Sequence, residues 1–124
     1  MSQPVVIFLR AGDWEARNQA LTLAASAAAL GDAVYLALSG PALCCLIEDR
    51  FGEGAPPQAL LAKVPPLDQT LEELRRDLGV HLVACDTAIR LAGFDPGMAV
   101  PPLDAVMSML SLWRLVQVGR ALTV

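Results

Sequence analysis

Of the side chains able to make or break covalent bonds, Cys85 stands where chemistry is easiest to arrange. It follows Val80-His81-Leu82-Val83-Ala84, an apolar run of strand length, and precedes Asp86-Thr87-Ala88-Ile89-Arg90-Leu91-Ala92, which reads as a helix closed by Gly93. In open parallel α/β sheets, ligands bind outside the carboxyl ends of the strands, where loops meet helix amino termini. A thiol at such a helix start meets unpaired backbone N–H groups and the helix dipole, which stabilise the thiolate, the nucleophilic form. Cys85 is therefore a candidate nucleophile. The same position also suits a small buried apolar residue, a common role for free cysteine.

The other reactive side chains are less well placed. His81, the single histidine, precedes Cys85 by four strand positions, roughly 13 Å at about 3.3 Å per residue, which predicts the opposite end of the strand. That is beyond the reach of a general base, so a structural role is expected for it. Arg90 follows Cys85 at a Cys-x4-Arg spacing with no glycine between them, one residue short of a phosphatase-type Cys-x5-Arg loop and without the backbone freedom to wrap an oxyanion. Phosphatase and rhodanese readings are rejected on that ground, and Arg90 is expected at the surface or an interface. Cys44 and Cys45 are adjacent, with Cα atoms about 3.8 Å apart, too close for an ordinary disulfide. Among Ala42, Leu43, Leu46 and Ile47 they read as core packing, with a secondary thiol near Cys85 as the alternative. No Cys-x-x-Cys or His-containing ligand set is present, so neither a metal site nor a cofactor is expected.

The elements that must position Cys85 alternate between strand and helix. Residues 5–9 and 33–38 are buried-strand runs like 80–84. Between the first two, Asp13 caps a helix that opens at Trp14 and stops at Gly31. Residues 41–50 form a short helix after Ser39-Gly40, and residues 52–66, with two Gly and four Pro, read as an irregular connection. Thr70-x-x-Glu73 is a capping-box pattern opening a helix in which Leu67, Leu71, Leu74 and Leu78 share a face, Glu72 can pair with Arg76, and Gly79 is the stop. Beyond Asp95-Pro96-Gly97 the pattern predicts a short strand between residues 98 and 106, a helix over 107–118 and an edge strand over 121–124. The sum is one α/β domain spanning residues 1–124, a three-layer α/β/α fold with a mostly parallel sheet of about five strands. Three loops then fall at the carboxyl edge: residues 10–13, 39–45 and 85–87. A receiver domain would end its third strand in Asp, and a flavodoxin would follow its first strand with a hydroxyl-rich phosphate loop. This chain has Cys85 and Arg10-Ala11-Gly12-Asp13-Trp14 at those places.

Composition narrows the partners. Nine Lys and Arg against thirteen Asp and Glu give a net charge of -4, with no basic run to follow a phosphate backbone, so nucleic acid is not an expected partner. The apolar stretch 21–47 is divided by Gly31-Asp32 and Ser39-Gly40-Pro41 into pieces below the roughly 20 residues of a spanning helix, so no membrane partner is expected. Met1-Ser2-Gln3-Pro4 lacks the features of a signal peptide, and a cytoplasmic location is expected. A hydrophobic share of 55% leaves little polar residue to cover a monomer. In residues 107–118 the polar Ser108, Ser111, Arg114 and Gln117 make one narrow stripe, which predicts burial on more than one side and a homo-oligomer.

The segment Gly79-Val80-His81-Leu82-Val83-Ala84-Cys85-Asp86-Thr87-Ala88-Ile89-Arg90-Leu91-Ala92-Gly93 resembles the region of the sulfur-accepting cysteine in the DsrE/TusD (DsrE/DsrF-like) family of sulfur-relay proteins. Gln19-Ala20-Leu21-Thr22-Leu23-Ala24, leading to Ala29-Leu30-Gly31-Asp32-Ala33-Val34, is similar to the family's amino-terminal half, and the closing helix and strand also fit. The likeness spans nearly the whole chain, with a variable middle. It implies that Cys85 carries a persulfide, that sulfur donor and acceptor proteins are the partners, and that the chain assembles as a trimer or hexamer. Cys44-Cys45 departs from the family pattern. Two functions therefore stand side by side: a cytoplasmic sulfur carrier acting through Cys85, and a non-catalytic oligomeric binding protein in which Cys85 is structural.

Overall fold

The computed structural model describes residues 3–124. In β1 (Pro4–Leu9), Val5, Ile7 and Leu9 face one side of the sheet while Val6 and Phe8 face the other. Apolar residues on both sides are what a strand needs when helices cover both faces. The chain continues through α1 (Trp14–Ala29), β2 (Ala33–Leu38), α2 (Gly40–Ile47), α3 (Pro57–Leu61), α4 (Leu67–Leu78), β3 (His81–Ala84) and α5 (Asp86–Leu91). After a single 3-10 turn (Pro96–Met98) come β4 (Ala105–Val106), α6 (Met109–Val118) and β5 (Arg120–Thr123).

The five strands lie in the order β4-β3-β2-β1-β5, and each neighbouring pair is parallel. The fold is the expected three-layer α/β/α arrangement. Its chain path explains the layers. From β1 to β4 the strands are added in one direction, and α1, α2, α4 and α5 all pack on the face presented by Ile7, Leu36 and Leu82. The return from β4 to β5 runs the opposite way across the sheet. A right-handed crossover in that direction places its helix on the other face, and there α6 packs Leu112 against Val6, Ala37 and Val83.

Local chemistry sets several boundaries. The Asp13 carboxylate accepts the Ala16 N–H at 3.1 Å, the expected cap of α1. Gly79 ends α4 at φ 66°, the left-handed region where a side chain is strained. Residues 52–66 are less irregular than expected, because Pro57 takes the first turn of α3, where a missing N–H costs no helical bond. The capping box at Thr70 does not form. α4 starts four residues earlier, with Pro66 as its N-cap and Leu67 buried, and the Thr70 hydroxyl instead donates back to the Pro66 carbonyl at 3.4 Å. Glu72 pairs with Arg75, not with Arg76, which pairs with Asp77. No helix among the described residues is long and apolar enough to cross a membrane.

Arg75 also reaches across to Asp104, just before β4. The Asp104 carboxylate accepts the Leu82 N–H at 2.7 Å, and the Asp104 N–H donates to the Leu82 carbonyl at the same distance, fastening the edge of the sheet beside Cys85. Partial burial pushes the Asp104 carboxyl up. The Arg75 hydrogen bond, the Leu82 N–H and the positive charge of Arg75 outweigh it and hold the group below the usual carboxylate range. Because the folded value is the lower one, its stabilisation is present above the unfolded value of about 3.9 and is lost as pH falls through the lowered folded value. Asp104→Asn is expected to lower the thermal midpoint at pH 7 and to flatten its dependence on pH below about 4, measured by circular dichroism melts between neutral and acid pH. Unchanged melts would remove this tie from the account.

Candidate functional site

The carboxyl edge of the sheet gathers all three loops expected there. Cys85 is the N-cap of α5, in extended backbone, and its half-buried Sγ accepts the Ala88 N–H at 3.3 Å. The first turn of the helix thus orients the thiol. It faces a cavity of about 410 Å3 whose lining is almost entirely apolar, formed by Ser39, Cys85, Asp86, Thr87, Ala88, Leu91, Ser108 and Met109.

Strand order explains why a cavity opens at this point. The connection leaving β3 goes to α5 on one face, while the connection leaving β4 goes to α6 on the other. The two diverge, and the crevice between diverging connections is where open α/β sheets bind ligands. Cys85 forms one wall of that crevice. Ser108 and Met109, at the start of α6, form the other. The Ser108 hydroxyl caps α6 through the Ser111 N–H at 3.1 Å, which fixes this wall in place. Sequence reasoning did not bring these two residues to Cys85, because strand order is not written in any local pattern.

The remaining candidates separate. His81 begins β3, at the far end from Cys85, and its exposed ring stacks on Tyr35 with centroids 4.7 Å apart. Arg90 is exposed and paired with Asp86 at 2.9 Å, which compensates the carboxylate beside the thiol. Cys45 is buried, its sulfur 3.9 Å from the Gly12 carbonyl and 4.0 Å from an Arg50 nitrogen. Both cysteines line a neighbouring cavity with Glu48, Arg50 and Leu91, but Cys44 is only half-buried, so core packing describes Cys45 better than its neighbour.

Two arginines were given no role in the sequence, although Arg10 lies in one of the loops expected at this edge. Arg17, on α1, is buried with 4% of its surface exposed, and donates to the carbonyls of Gly12 (3.1 Å), Glu53 (2.7 Å) and Phe51, lying over the Phe51 ring. It ties the loop after β1 to the segment following α2. Arg10, at the end of β1, is exposed at the rim of the site and makes no ion pair among the described residues. A scan of the chain against family models finds no match, and a search of curated proteins finds none either.

Proposed function

We propose that the protein is a cytoplasmic sulfur carrier that accepts sulfane sulfur on Cys85 and passes it to a partner thiol. The observation that carries the reading is the orientation of the Cys85 sulfur, at the N-cap of α5 and open to the crevice between α5 and the start of α6. Its resemblance to the DsrE/TusD family around residues 79–93 points the same way.

The chemistry balances without a metal or general base. The Cys85 thiolate attacks the outer sulfur of a donor persulfide R–S–SH. A new S–S bond forms on Cys85, the donor S–S bond breaks, and RS⁻ leaves with the bonding electron pair. An acceptor thiolate then attacks the outer sulfur of Cys85–S–SH, which returns Cys85 to the thiolate. The Ala88 N–H stands at the sulfur that leaves in this second step. Mass spectrometry after exposure of the purified protein to an organic persulfide tests the reading. Wild type gains labile sulfur and Cys85→Ser gains none. Equal gain in both supports the structural role of Cys85 instead.

The carrier is proposed to work as a homo-oligomer, a trimer or hexamer by the same resemblance. On α6, only Leu112 is fully buried, while Leu110 and Val118 are exposed and Trp113 is 56% exposed. An apolar surface of this kind suits a partner subunit. Light scattering at micromolar concentration is expected to show an oligomer, and Trp113→Asp to shift it toward monomer. A monomeric wild type contradicts the assembly.

A further inference from the structure

We infer that Arg10 selects small anionic sulfane-sulfur compounds, of the thiosulfate class, as the donors to Cys85. The inference rests on the carrier reading and names the substrate class of that site. Arg10 is placed by its backbone and by its stem. Its carbonyl accepts the Ala42 N–H at 3.1 Å, and its side chain lies across Gly40. Gly40 has φ 53°, and a Cβ there would meet the Arg10 Cγ at 3.0 Å and Nε at 3.4 Å. The residue under the arginine therefore has no side chain, and the guanidinium stem crosses the backbone where one would project.

The cavity at Arg10 has a volume of about 250 Å3 and shares Ser39, Ala88 and Leu91 with the cavity at Cys85. No carboxylate lines it among the described residues. The Ser39 hydroxyl, common to both cavities, makes no capping bond to α2 and is available to a ligand. Every other cation near this edge is already occupied: Arg90 by Asp86, Arg50 by Glu48, and Arg17 by three carbonyls. The two cavities together thus hold one uncompensated cation, the unpaired hydroxyls of Ser39 and Thr87, the Asp86 carboxylate already paired with Arg90, apolar walls and a thiol.

An anionic donor needs such a cation. Thiosulfate carries two negative charges, the attacking thiolate carries one, and the chain as a whole is at -4, so approach is opposed at every distance inside the Debye length. In the reaction the Cys85 thiolate attacks the outer sulfur of thiosulfate. The thiosulfate S–S bond breaks, sulfite leaves with the electron pair, and Cys85 holds the persulfide anion. Three negative charges enter and three leave, with no proton, oxidant or reductant required. Arg10 attracts the sulfonate group and then holds the charge that the departing sulfite retains.

The test compares two donors on the full-length protein, thiosulfate, a dianion, and cysteamine persulfide, which bears an ammonium group, with sulfur on Cys85 followed by mass spectrometry. Arg10→Gln is expected to slow loading from thiosulfate about thirtyfold, the scale of one unit charge beside a dianion at contact distance in water. Loading from cysteamine persulfide, whose carrier is cationic, is expected to be unchanged or faster. Arg10→Lys should restore most of the thiosulfate rate, and added salt should slow wild type with thiosulfate but speed Arg10→Gln, in which only repulsion is left to screen. If Arg10→Gln loads from thiosulfate as fast as wild type, or if wild type takes sulfur from cysteamine persulfide and none from thiosulfate, the inference about Arg10 is wrong and the carrier reading stands. If wild type takes sulfur from neither donor, both fall.

Discussion

Cys85→Ser is expected to abolish sulfur loading while leaving the fold as stable as wild type or slightly more stable. The two halves of that result have separate causes. Loading requires a thiolate, since a persulfide forms by sulfur attacking sulfur, and a serine hydroxyl stays protonated and gives no S–S bond. Stability depends on the capping of α5, where the Cys85 sulfur accepts the Ala88 N–H. Serine is among the preferred N-cap residues and its oxygen makes a shorter, stronger bond to the same N–H. The substitution therefore removes the chemistry without removing the cap. Labile sulfur should fall to background in a variant whose thermal melt matches or exceeds that of wild type. A Cys85→Ser protein that melts normally and still takes up sulfur would place the reactive thiol elsewhere.

Arg17→Met is expected to have the opposite profile, with a large loss of stability from a residue that touches no reacting atom. Methionine retains much of the buried stem but donates no hydrogen bonds. The carbonyls of Gly12, Phe51 and Glu53 then lose a charged donor, and that of Phe51, the buried one of the three, has little other access to one. At roughly 1 to 3 kcal/mol for each stranded polar group, partly relieved by water at the Glu53 end, the expected cost is about 3 to 4 kcal/mol. Denaturant unfolding measures it. Arg17→Lys should recover only part of the loss, because one ammonium cannot match the planar fork that spans three carbonyls. A loss below about 1 kcal/mol for Arg17→Met would mean that the segment after α2 does not depend on this contact.

The contrast between these residues shows what a sequence of this kind discloses. Strands β1, β2 and β3 are legible because they are buried on both faces, so their apolar runs are continuous and bounded by turn residues. Cys85 is legible because the strand stops at Ala84 and the helix starts at Asp86, leaving it no position but the junction. Arg17 is not. It sits on a helix among polar neighbours, and its three acceptors are backbone carbonyls, which leave no trace in side-chain identity. Ser108 and Met109 are hidden for another reason. Their approach to Cys85 depends on β4 lying beside β3 and on α6 crossing to the far face, and β4 is only two residues long. The helix at Pro57 was masked by its prolines, which break a helix interior but fit its first turn.

The central claim is that one of three cysteines carries sulfur by virtue of its place at the crevice. Peptide mapping of the wild-type protein after exposure to an organic persulfide, with labile sulfur assigned separately to Cys44, Cys45 and Cys85, tests it most directly. One added sulfur atom is expected on the peptide containing Cys85, and none that persists on the peptide containing Cys44 and Cys45. Sulfur held on Cys44 or Cys45 with Cys85 unmodified, or no sulfur on any of the three, would contradict it.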